Sequence, residues 1–159
     1  MTLIGGLPAH PLLVHAVVML VPLVSTGLIL CALWPAARRH LLWPVVVLAA
    51  AALVLTPLTA ETGEQLAGAL GETPLIEAHE ELGETMTLVV ALLFAATALL
   101  AGAHMLRGRG DGGGRRALTV VAAVLAVVAA VGATVQTVRV GESGAQAVWT
   151  GRVPPATAD

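Results

Sequence analysis

Four stretches of this chain, about 11–33, 41–60, 85–106 and 117–138, each run for roughly 20 residues without a formal charge. A helix needs about 20 apolar residues to cross roughly 30 Å of hydrocarbon. Backbone groups in lipid must find their partners within the segment, so each stretch is expected to be a helix. The expected fold is all-α: an integral membrane four-helix bundle, multi-pass in the lipid bilayer. Only 11% of the 159 residues are charged, against about 25% for a soluble domain. Nothing basic precedes the first stretch and it exceeds a signal-peptide core in length, so it reads as a true span.

The connecting segments separate by sign. Arg38, Arg39 and His40 join the first pair of spans, and Arg107, Arg109, Asp111, Arg115 and Arg116 join the last pair. The middle connection holds Glu61, Glu64, Glu72, Glu77, Glu80, Glu81 and Glu84 and no basic residue. Arg in short loops marks the cytoplasmic side, and in a four-span chain both Arg loops fall on one side. Both termini and the acidic segment are therefore expected to be extracytoplasmic, in a bacterial inner (plasma) membrane. Residues 1–140 are read as the four-helix domain and 141–159 as an extracytoplasmic tail, its first part folding over the bundle and its last residues disordered.

Punctuation within the spans agrees with these bounds. Pro35 ends the first helix and Pro44 fits the first turn of the second, while Pro22 and Pro57 fall inside spans and are expected to kink them. Ala122, Ala126 and Ala130 give the fourth helix a small-residue face for close packing. Cys31 is alone, so no internal disulfide forms. The two halves show no internal repeat beyond composition.

Chemistry is expected at the outer face. Of five histidines, His10, His15 and His79 map there, while His40 and His104 map inside and would form a second site on an electron path across the membrane. His15 lies one turn into the first helix, and His79 is placed just before the third, four residues from Gly83, whose small size would leave room for a macrocycle. His15 and His79 are expected to reach one cofactor from opposite sides, since a pair of imidazoles across a bundle is the axial pattern of haem b and bundle cores commonly house cofactors. The same histidines, joined by Glu61, Glu64, Glu80 and Glu142, would instead hold a divalent transition metal. Electron transfer, with a redox partner or within a homo-oligomer, follows from the haem alternative. A structural or assembly subunit without a cofactor is the competing reading. No catalytic residue is identified: Ser25 and Ser143 are the only serines and neither lies in a nucleophile motif. The reading is of a carrier rather than an enzyme. Few basic residues in short loops leave nucleic-acid binding unsupported.

Several motifs resemble one known family. His10-Pro11-Leu12-Leu13-Val14-His15, Thr62-Gly63, His79 and Gly141-Glu142-Ser143-Gly144-Ala145-Gln146-Ala147-Val148-Trp149 resemble the bacterial membrane family of domain of unknown function 2231. The resemblance implies a four-helix membrane module, a kind sometimes fused to cytochrome c-like domains, and so redox work by association. Two departures stand out. Ala16 and Val17 follow the second histidine where relatives often carry Phe-Pro, and Glu142 replaces a tail histidine. If that histidine is a ligand in relatives, the replacement favours a mixed His and Glu metal site here.

Overall fold

A computed structural model describes residues 2–71, 73–107 and 113–152. The chain opens with a two-stranded antiparallel hairpin, β1 (Leu3–Ile4) and β2 (Leu7–Pro8), pairing Leu3 with Pro8 and Ile4 with Leu7. Its two-residue turn needs positive φ at both central positions, which Gly5 (58°) and Gly6 (84°) supply. Thr2 anchors this hairpin by donating from its backbone N and Oγ1 to the Gln65 Oε1, at 3.0 and 2.8 Å.

Four long helices follow: α1 (Ala9–Leu33), α2 (Pro35–Leu70), α3 (Pro74–Arg107) and α4 (Gly113–Trp149). All four are long and apolar enough to span a membrane. The α1–α2 join is a single extended residue, Trp34 (φ −119°, ψ 109°). Pro35 requires this, because a proline drives the residue before it out of the helical region. The first-turn proline of α2 is thus Pro35, and Pro44 lies inside the helix. α2 stops at Gly71, whose φ of 91° suits only glycine, with its N–H closing on the Ala67 carbonyl at 3.0 Å. α3 restarts at Pro74, where Thr73 Oγ1 accepts from the Ile76 N–H at 3.3 Å.

The helices outrun the expected spans. α2, with 36 residues, and α4, with 37, are each about 54 Å long at 1.5 Å per residue, well beyond the hydrocarbon. The surplus lies at the end of the bundle carrying the termini. The acidic connection is therefore mostly helix: Glu61 and Glu64 ride on α2, and Glu77, Glu80, Glu81 and Glu84 on α3. The stretch 141–149 continues α4 unbroken to Trp149 and does not turn back over the bundle. Glu72, Arg109, Asp111 and the tail residues 153–159 lie outside the described residues.

Around the bundle, α1 packs on α2 and α4, and α3 packs on α2 and α4, leaving α1 and α3 diagonal. Val21, Val24, Leu28, Leu93 and Leu100 fill the centre against Ala122, Ala126, Ala130 and Ala133, all fully buried. The alanines let α4 approach closely, and Gly27 does the same between α1 and α2, where an added Cβ would meet Val45 Cγ2 at 2.6 Å. Large apolar side chains such as Met19, Val47, Leu88 and Val128 face outward, an arrangement suited to lipid contact. Arg38 is not simply a loop cation: it is buried, and its Nε and Nη2 donate to the Cys31 and Ala32 carbonyls, both at 2.6 Å. It thereby caps the C-terminal end of α1, where cations are favoured.

Candidate functional site

At the terminal end of the bundle, α1 and α3 bring His10 and His79 together across the diagonal. Their ring centroids are 6.2 Å apart and their planes cross at 78°. Helical phase explains the placement. His10, Val17, Val24 and Cys31 recur every seven residues, and His79, Met86, Leu93 and Leu100 do the same. The apolar members of both series are buried, so each histidine stands at the open end of its helix's core-facing stripe. His79 lies inside α3, in its second turn, rather than ahead of it.

Each imidazole is tied to the next helix through Nδ1. His10 Nδ1 lies 2.9 Å from the Thr59 carbonyl on α2, so Nδ1 carries the proton. His79 Nδ1 lies 2.9 Å from Ser143 Oγ on α4. That hydroxyl donates onward to the Val140 carbonyl at 2.9 Å, so it accepts from the imidazole. Both rings therefore keep Nε2 as the nitrogen with a bare lone pair. Fixing one ring nitrogen through a protein acceptor while the other stays basic is the usual support given to metal-bound histidines.

Two glycines make room for the rings. A Cβ on Gly63 would stand 2.9 Å from His10 Cε1, and one on Gly144 would stand 3.0 Å from His79 Cε1. Gly83, in contrast, has nothing within 4 Å of its would-be Cβ. His79 stands in the acidic lead-in of α3, outside the apolar stretch 85–106. Burial pushes its imidazole below the ordinary value of 6.5, the neighbouring His10 pushes the same way, and the Val140 carbonyl opposes both.

The other candidate residues fall elsewhere. His15 is exposed and bonds through Nδ1 to the Pro11 carbonyl of its own helix. Five residues separate it from His10, a rotation of about 140° around the helix, so only one of the two can face inward. Glu61, Glu64 and Glu142 are exposed and Glu80 is half-buried. Among the described residues, no three His, Cys, Asp or Glu side chains gather into a metal-sized cluster. His40 is exposed and His104 half-buried, both at the opposite end. Thr59, Gly63, Ser143 and Gly144 emerge as site residues only in the structure. Nothing in the sequence favoured His10 over His15, since Pro22 and Ile29 give His15 an equally apolar heptad; the burial of Val17 and Val24 separates the two.

A family model described as a predicted membrane protein, domain of unknown function 2231 (DUF2231), matches residues 6–156. The chain belongs to this family. No curated protein and no solved structure matches it. In this DUF2231 member the match begins at Gly6 in the hairpin turn and takes in β2, all four helices and both histidines of the paired site.

Proposed function

We propose that His10 and His79 are the axial ligands of a haem iron at the terminal end of the bundle, and that the protein carries electrons there. The observation behind this reading is the donor pair itself: two neighbouring imidazoles, both with Nε2 left basic, where among the described residues no three His, Cys, Asp or Glu side chains gather. A zinc-type ion held by protein alone wants three or four side-chain ligands. A haem iron already has its equatorial donors and wants two axial ones. The two ring centroids lie 6.2 Å apart, close enough for one metal centre to reach both imidazoles. When bound, haem would supply a one-electron couple; the chain's part is to hold both rings, fix their tautomers and set the polarity around them.

The sign of the loops orients this end outward. Arg38, Arg39, Arg115 and Arg116 cluster at the other end, as expected of a cytoplasmic face in a bacterial plasma membrane. A redox partner would dock at the acidic helical extensions.

The test is the absorption spectrum of full-length protein, purified in detergent from haem-supplied cells, air-oxidised and then dithionite-reduced. We expect a Soret band that shifts on reduction, lost in His10→Ala and His79→Ala and kept in His15→Ala. A colourless wild type with bound transition metal would replace haem by an ion completed by water or Glu80. A colourless, metal-free wild type would sink the proposal. It would favour the second reading, a structural or assembly subunit, to which the cross-helix bonds of His10 to Thr59 and His79 to Ser143 also belong.

A further inference from the structure

Registering the helices on their two histidines aligns the halves of the chain. An offset of 69 residues carries His10-Val17-Val24-Cys31 of α1 onto His79-Met86-Leu93-Leu100 of α3. Registering α2 on α4 by their seat glycines needs an offset of 81, and it carries Ala49, Ala52 and Thr56 onto Ala130, Ala133 and Thr137, all buried.

The detail repeats as well. Thr56 Oγ1 donates to the Ala52 carbonyl at 2.8 Å, and Thr137 Oγ1 donates to the Ala133 carbonyl at 2.8 Å. Thr62 Oγ1 donates to Thr59 O at 2.9 Å, and Ser143 Oγ to Val140 O at 2.9 Å. At the site the sequence itself matches: Glu61-Thr62-Gly63-Glu64-Gln65 against Glu142-Ser143-Gly144-Ala145-Gln146. The packing order obeys the same two-fold relation, since α1 on α2 maps to α3 on α4, and α1 on α4 maps to α3 on α2.

We infer that the chain is a duplicated helical hairpin, and that Gly63 and Gly144 are equivalent positioning residues which seat His10 and His79 for one shared ligand on the pseudo-two-fold axis. The ligand part rests on the haem reading above; the duplicated seats do not. Each seat is a glycine flat against an imidazole of the preceding helix, flanked by a hydroxyl residue on the side of the chain before it. At both, an added Cβ would crowd ring atoms at 2.9–3.0 Å. The ring must then shift, and its Nδ1 bond to Thr59 or Ser143 shifts with it.

Ring-nitrogen NMR of the cofactor-free, full-length protein labelled with 15N-histidine reads the seats directly. Wild type should show three rings in the Nδ1–H tautomer with bonded Nδ1, and removing the His15 signal with His15→Ala should leave those of His10 and His79. Gly63→Ala should disturb the His10 ring and Gly144→Ala the His79 ring, to similar degree. Each should weaken haem binding by about 10- to 100-fold, as loss of ligand support does.

An exchange variant supplies the positive control: Thr62→Ser and Glu64→Ala in one half, with Ser143→Thr and Ala145→Glu in the other, adds no Cβ at either glycine. It should keep both ring signals. If either alanine variant fails to fold, the exchange variant decides. Loss of the ring signals in the exchange variant, or a disturbance from only one of the two glycines, overturns the inference. Matched disturbances in a protein that binds no haem support the duplicated seats and count against the haem reading alone.

Discussion

His10 and His15 sit on one helix near one membrane surface, and their chemistry is decided by about 140° of helical rotation. His10 shares the buried stripe of Val17, Val24 and Cys31, while His15 bonds back to Pro11 and faces out. The choice was not legible in sequence, because the heptads beneath both histidines are apolar, Val17 and Val24 under His10 and Pro22 and Ile29 under His15. The seats were not legible, because Gly63 and Gly144 matter only through a ring that arrives from another helix. One consequence concerns protonation. His79 in the folded, cofactor-free protein binds its proton more weakly than the ordinary value of 6.5 implies. Above that pH the ring is neutral folded or unfolded and contributes no slope. Below it the unfolded chain takes up the proton first, so stability falls as pH falls, until the folded ring also protonates. Thermal unfolding in detergent should therefore show a midpoint that declines below about pH 6.5, with a shallower decline in His79→Gln. An identical decline in that variant would assign the pH dependence to other groups.

The helical extensions are the element-scale result. Seven Glu residues made the stretch from Glu61 to Glu84 look like a loop, since charge is normally read as the end of a span. Yet its punctuation is that of two helices: Gly71 closes α2 and Pro74 opens α3. The charged turns are helix beyond the charge-free stretches, and they carry the site residues from His79 on α3 to Ser143 on α4. Just below, Gln136 of α4 is buried and its Nε2 donates to Thr85 Oγ1 at 2.7 Å and to the Leu82 carbonyl at 3.2 Å on α3. Polar bonds between membrane helices average about 0.6 kcal/mol and reach about 1.7. Gln136→Leu should accordingly destabilise the protein by about 0.5–1.5 kcal/mol, measured by thermal or denaturant unfolding in detergent. A midpoint equal to that of wild type would mean that these bonds add nothing net to the α3–α4 contact.

At the scale of the whole molecule, four charge-free stretches and two Arg loops were enough to name a membrane four-helix bundle. Its internal two-fold stayed hidden, because the two hairpins share little beyond the residues that touch at equivalent places. The proposed orientation follows from charge and has a direct check. Cys31 is fully buried, so single cysteines can be introduced over a low background. A membrane-impermeant maleimide should label Thr2→Cys and Val148→Cys in intact cells, and should label Arg39→Cys only after lysis. The reverse pattern would put the paired histidines on the cytoplasmic side and require an internal electron partner. The central claim, that two imidazoles from opposite hairpins clasp one iron, is tested most directly by electron paramagnetic resonance of the oxidised, haem-loaded protein. A low-spin ferric signal is expected in wild type and in His15→Ala, and its loss in His10→Ala and in His79→Ala. A high-spin wild type, or a low-spin signal that survives loss of either His10 or His79, would contradict it.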